Sequence, residues 1–126
     1  DCYISLHRSE GLGLTMAEAM TLGKPVIATN YSGNVDFMTP SNSLLVPYTK
    51  VRVGHDAPPY PENATWAEPD LDEAASLMRK VVDNDHLRKE LGHRAQSDLA
   101  SSHNAPTTGA RMRIALSQVS TQEVRG

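Results

Sequence analysis

Apolar and polar positions follow two regimes along the chain. Up to about residue 48, short apolar runs are separated by glycine-bearing turns. Tyr3–Leu6 reads as a strand, and Thr15–Leu22 (TMAEAMTL) as a helix rich in Ala, Met, Leu and Glu. Val26–Thr29 and Leu44–Tyr48 read as two further strands. Gly23 stops the helix, and Lys24-Pro25 leads into the second strand. Strands apolar on both faces are what a buried parallel sheet demands, and strand–helix–strand with short links is a βαβ unit. From Thr49 to Asp70 the pattern dissolves. Pro58, Pro59, Pro61 and Pro69 crowd together with Gly54 and Asn63, removing backbone donors and blocking helix. A long Pro-rich loop or insertion is predicted over 49–69, of the kind that is often functional. Beyond it, Leu71, Ala74, Ala75, Leu77, Met78, Val81 and Val82 recur at helical spacing. Asp70 is the predicted N-cap, with Glu73 three residues on as a carboxylate variant of the capping box. Two more helices are predicted over His86–Ser101 and Thr107–Val119. No internal repeat or low-complexity tract interrupts them.

Composition narrows the classes. With 126 residues the chain fits one domain able to bury a core without staples. A net charge of −3 gives no basic stripe for nucleic acid. Cys2 is the single cysteine, so it forms no internal disulfide and no zinc pattern, which is compatible with a reducing compartment. Apolar runs of three residues fall far below the roughly 20 needed to cross a bilayer. The chain opens on Asp1-Cys2-Tyr3 with no leader pattern, and a strand follows at once. The expectation is a piece of a larger fold, placed in the cytoplasm or peripheral to an inner membrane.

The informative stretch is Ser9-Glu10-Gly11-Leu12-Gly13-Leu14-Thr15-Met16-Ala17-Glu18. It follows a strand and opens a helix. Gly11 and Gly13 allow a tight turn and close backbone approach to a ligand. A helix start presents unpaired N–H groups and the positive end of the dipole, an anion site suited to phosphate, and Thr15 adds a hydroxyl. In parallel sheets ligands bind at the carboxyl edge of the strands. Glu10 and Glu18 flank this cradle, and carboxylates accept from sugar hydroxyls. The pair therefore suits a nucleotide-sugar, with ribose at one end and the transferred sugar at the other. Simpler readings stand beside this one. Thr15-Met16-Ala17-Glu18 also matches a capping box in which Glu18 caps its own helix. Glu10 also fits an ordinary solvated loop carboxylate.

These residues carry a resemblance. Ser5 to Leu14, then Glu18-Ala19-Met20 and Gly23-Lys24-Pro25-Val26-Ile27-Ala28-Thr29, resemble the C-terminal domain of retaining glycosyltransferases of the GT-B fold, family four. The E-x7-E element followed by A-x-x-x-G-x-P-V-I-A is specific in that order and spacing, and the match is strong over residues 1–48. The resemblance implies that Glu10 contacts the transferred sugar and acts as the catalytic residue. It implies that Glu18 holds the ribose hydroxyls and that the backbone at Gly11, Gly13, Leu14 and Thr15 holds the diphosphate. Ser32-Gly33-Asn34-Val35-Asp36 resembles the family's Gly-Gly-x-x-Glu turn, with Ser32 and Asp36 as departures. Gly33 and Asn34 thereby become candidates beside the sugar. Asn42-Ser43-Leu44-Leu45-Val46 resembles the family's Asn-Gly-Leu-Leu-Val strand, with Ser43 in place of Gly.

Other residues have weaker claims. Arg8 reads as a solvated side chain or a phosphate partner, and His7 as a structural imidazole or a contact. His55, His86, His93 and His103 lack metal-ligand spacing and belong on surfaces; no metal site is expected. Trp66 reads as a loop anchor packing on the sheet. Met112, Ile114 and Leu116 read as core or interface contacts.

The fold expected is α/β, a Rossmann-like parallel half-sheet with a helical C-terminal tail. Residues 1–48 form the donor core, 49–69 the Pro-rich loop and 70–126 the helices. The function expected is transfer of a hexose from a GDP- or UDP-linked donor to an acceptor hydroxyl with retention, without a cofactor, in polysaccharide or glycolipid assembly. The acceptor domain lies outside this chain, so the isolated chain is expected not to turn over. The rivals are a UDP-sugar 2-epimerase of similar architecture and a non-catalytic interaction domain. Strand Tyr3–Leu6 should expose a sheet edge, a liability expected to be covered by the tail or by self-association with another chain.

Overall fold

The computed structural model describes residues 1–123. The elements run β1 (Tyr3–Ser5), α1 (Leu14–Thr21), β2 (Val26–Thr29), a 3-10 turn (Gly33–Asp36), β3 (Leu44–Val46), β4 (Tyr48–Arg52), β5 (Thr65–Pro69), α2 (Leu71–Asp83), α3 (Asp85–Ser102) and α4 (Ala105–Glu123). Strands β1, β2 and β3 form a parallel sheet in that order, with Tyr3 beside Val26 and Ile27 beside Leu44. The architecture is α/β, with helices after a parallel half-sheet, as the apolar runs predict.

The core divides across β2, whose four residues are all buried. Successive strand residues face opposite sides. Val26 and Ala28 pack on one side with Met16 and Met20 of α1 and Ala95 and Leu99 of α3. Ile27 packs on the other with Val46 and with Ala74, Leu77 and Val81 of α2. This two-sided burial is why β2 carries no polar alternation.

Local chemistry sets the helix ends. At the end of α1, Gly23 N–H bonds Met20 O at 2.9 Å and Lys24 N–H bonds Ala19 O at 3.0 Å. These two bonds are a Schellman motif. Asp70 caps α2 by accepting from Glu73 N–H at 3.0 Å. Asn84 caps α3 through Leu87 N–H at 2.9 Å, and Asn104 accepts from Thr107 N–H at 2.8 Å.

Four expectations change. The strand over Leu44–Tyr48 divides at Pro47 into β3 and β4, because the chain leaves the parallel sheet there. The stretch 49–69 is not loop throughout: β4 and β5 pair antiparallel, with Lys50 opposite Ala67 and Val51 opposite Trp66. The alternation Lys50-Val51-Arg52-Val53 carried that signal, and the prolines between the strands obscured it. Among the described residues the tail does not cover the sheet edge. Strand β1 ends the sheet, Ile4 is 40% exposed, and α4 meets α3 instead. Met112, Ile114 and Leu116 are 59–69% exposed and are not core. Met112 and Ile114 lie two residues apart on a helix, on opposite sides, so they form no single stripe to bury.

The helical segment predicted to residue 126 is described as far as Glu123, and residues 124–126 lie outside the described residues. Among the described residues no helix is long and apolar enough to cross a membrane.

Candidate functional site

The chain leaves β1 at Ser5 and turns through residues 6–13 into α1. Three supports shape that turn. The first is His7, whose Nδ1 lies 3.2 Å from Ser5 Oγ and whose Nε2 lies 3.0 Å from Tyr31 O and 3.1 Å from Asn34 Oδ1. Asn34 Nδ2 donates to Thr29 O at 3.0 Å, so its Oδ1 faces the ring. Both partners of Nε2 are acceptors. Nε2 therefore carries the proton, and Nδ1 accepts from the Ser5 hydroxyl. Of the two readings of His7, the structural imidazole is the one observed; it ties the exit of β1 to the exit of β2.

The second support is the turn after β2. Ser32 Oγ donates to Glu10 O at 2.6 Å and accepts from Glu10 N–H at 3.3 Å, while Gly33 N–H bonds Glu10 O at 3.0 Å. A Cβ on Gly33 would lie 2.2 Å from Gly11 O. Only glycine lets the two loops approach this closely.

The third support is Gly13, the N-cap of α1, at φ 90° and ψ 43°. A Cβ there would meet Met16, Asn34 and Phe37 at 3.0–3.2 Å. Gly11 differs, because a Cβ on it meets nothing within 4 Å. The protein leaves that side of the turn open.

The capping-box reading of Thr15 and Glu18 is not met. Gly13 is the N-cap and no side chain caps this helix end. Thr15 lies inside the helix and its Oγ1 accepts from Tyr3 OH at 2.8 Å. Glu18 is exposed. Among the described residues, neither its carboxylate nor that of half-buried Glu10 has a hydrogen-bond or ion-pair partner. The first backbone bond of the helix is Ala17 N–H to Gly13 O at 2.9 Å. An uncapped, positive helix end is therefore flanked along the chain by two carboxylates without a partner among the described residues.

Two further candidates move into the scaffold. Asn34 has no exposed surface, and its amide is used at both ends inside the protein. Arg8 is half exposed, and its guanidinium is engaged within the protein. Its Nη2 lies 2.8 Å from Glu68 Oε2 and 3.1 Å from Oε1, and its guanidinium stacks 4.8 Å from the Trp66 ring centre. Trp66 is not a loop residue packing on the parallel sheet: it lies within β5, with the Arg8 guanidinium over its ring and Tyr60 edge-on at 5.9 Å.

A mainly apolar cleft of about 590 Å³ runs beside α1, lined by Leu12, Leu14, Ala17, Glu18, Thr21, Leu22, Phe37, Leu99, His103 and Thr108. It reaches Glu18 but not Glu10. His103 stands edge-on to Phe37 at 5.8 Å, and Phe37 in turn packs under Gly13. Burial pushes the Cys2 thiol up, and hydrogen bonding to Lys89 holds the exposed Asp85 carboxyl down.

Sequence reasoning missed Ser32, Glu68 and Phe37 as supports of the site. Only Ser32 left a signal, as a hydroxyl where the resembling turn carries glycine. No curated protein matches the chain. Residues 1–98 hold the whole parallel sheet, the turn around Glu10 and the β4–β5 pair; they match the family model described as "Glycosyl transferases group 1", and the chain belongs to that family.

Proposed function

We propose that this chain carries the donor side of the active site of a retaining, family-four glycosyltransferase. It takes a hexose linked to GDP or UDP and passes it to an acceptor hydroxyl. One observation carries this reading: among the described residues neither Glu10 nor Glu18 has a hydrogen-bond or ion-pair partner, and along the chain they flank an uncapped helix start that follows a strand of the parallel sheet. Structural carboxylates are normally paired or solvated at random. Two left open around an anion cradle suit a ligand with hydroxyls at both ends and phosphates in the middle.

In this reading the diphosphate lies on the backbone from Gly11 to Thr15. Gly11 admits it, because nothing fills the space beside its Cα. Glu18 accepts from the ribose hydroxyls and Glu10 from the transferred sugar. When the bond from the sugar's C1 to the diphosphate oxygen breaks, the diphosphate takes the bonding electrons. Charge grows where the amides and dipole of α1 already point, which is preorganised stabilisation. The acceptor oxygen bonds C1 on the face that the diphosphate leaves, and its hydroxyl proton passes to the departing diphosphate oxygen. The acceptor would be presented by an opposing domain.

Two substitutions test the assignment. With the acceptor domain present in the full-length protein, Glu10→Ala should lower transfer by about a hundredfold or more with the fold retained. Glu18→Ala should weaken donor binding about tenfold, the scale of one charged hydrogen bond. Its melting temperature should not change, since Glu18 caps nothing. Calorimetric titration with GDP- and UDP-sugars reads the binding and a transfer assay reads the rate. Undiminished transfer by the Glu10 variant would rule this site out.

A further inference from the structure

We propose that the β4–β5 hairpin positions the Glu10 turn, with Glu68 and Trp66 acting as positioning residues through Arg8. The inference rests on the donor-site reading of Glu10. It starts from a gap: the Glu10 carboxylate has no partner among the described residues. No hydrogen bond or ion pair among the described residues aims that side chain, which leaves the backbone that carries it. What holds that backbone therefore sets where the carboxylate points.

On one side Ser32 and Gly33 hold the Glu10 peptide, as described. On the other side, two residues earlier, the hairpin holds Arg8 in three ways. Ala67 N–H donates to Arg8 O at 2.9 Å, so the Arg8 backbone runs beside β5. The Arg8 guanidinium reaches both oxygens of Glu68, and it stacks on Trp66. Strand alternation makes this possible. Trp66 and Glu68 project to one face, while Ala67 between them turns inward and is fully buried. Tyr60 backs Trp66 from the loop between the strands. The segment Arg8-Ser9-Glu10 is thus gripped at both ends, and the grip at one end belongs entirely to the hairpin.

A turn held in its binding-competent shape binds at full affinity, whereas one that is competent only part of the time binds more weakly by that fraction. The test uses Glu68→Gln, Trp66→Ala and Trp66→Phe in the full chain. Without ligand, amide hydrogen exchange at residues 9–11 should quicken in Glu68→Gln and Trp66→Ala, while the core amides of β2 keep their protection. Donor titration by calorimetry should show a Kd raised about fivefold in both, as for a turn competent about one-fifth of the time. Trp66→Phe keeps a ring under the guanidinium and should bind like the wild type. Trp66 is the sole tryptophan, so its emission should change during donor titration of the wild-type chain.

Unchanged exchange at residues 9–11 in both variants would overturn the proposal. So would faster exchange with unchanged Kd. Tighter donor binding in Glu68→Gln would overturn it differently, by showing that Glu68 withholds Arg8 from the donor phosphates. Donor binding by the wild type in calorimetry with silent Trp66 emission would also count against it. No donor binding by the wild type at all would remove the donor reading itself and leave the hairpin a structural brace.

Discussion

Ser32 sits at φ 79° and ψ −150°, a region that is nearly the preserve of glycine and costs a side-chain-bearing residue about 1–3 kcal/mol. The residue is kept there by two hydrogen bonds from its hydroxyl to the Glu10 peptide. This separates two substitutions that a contact list would treat alike. Ser32→Gly loses the hydroxyl but relieves the backbone, so its stability should fall by less than about 1 kcal/mol. Ser32→Ala loses the hydroxyl and keeps the strain, and should cost about 1–2 kcal/mol. Urea denaturation of the two variants checks the order; an alanine variant as stable as the glycine one would show that no strain is stored. The orphan hydroxyl of Thr29, buried with no partner at the end of β2, is the other polar irregularity beneath this turn.

At the scale of elements, close approach decides what propensity does not. Helix α3 crosses the end of α1 at Gly92, where a Cβ would stand 2.2 Å from Gly23 O, a backbone atom with no room to yield. Gly92→Ala should therefore destabilise by about 1–3 kcal/mol even though alanine is the better helix former. Gly109 in α4 is the internal control, because its Cβ would meet only the end of the Arg113 side chain, at 4.0 Å. Gly109→Ala should stabilise by about 0.5–1 kcal/mol. Thermal unfolding of both variants reads the opposite signs. Equal signs would mean that the α1–α3 crossing is looser than its geometry. The hairpin belongs at this scale too: it is the element that converts a Pro-rich stretch into a wall beside the Glu10 turn.

Over the whole molecule, the packed mass lies around β2 and the tail stands apart from it. Ile27 is fully buried between the sheet and α2, whereas Leu116 is 69% exposed on α4. Ile27→Ala should cost about 2–5 kcal/mol. Leu116→Glu should change stability by no more than about 0.5 kcal/mol. Chemical denaturation measures both, and a large loss in the α4 variant would show that its apolar residues are buried against something in solution. Light scattering of the same variant tells whether that something is a second copy.

Much of this was legible in the sequence, for a physical reason. Strand and helix periods, the Gly23 stop and the Asp70 cap are local, each set within a few residues. The apolar run Val26–Thr29 announced its own burial, and Glu10, Gly13 and Glu18 offered a candidate site by their order. What the tertiary structure alone decided are the pairings between distant segments. Arg8 meets Glu68 across 60 residues, and His7 meets Asn34 across 27. No local period encodes either contact. The choice between capping box and open carboxylate for Glu18 was likewise out of reach of sequence. It depends on Gly13 taking the N-cap and on Thr15 turning its hydroxyl to Tyr3, and both follow from how α1 packs against β1 and the turn after β2.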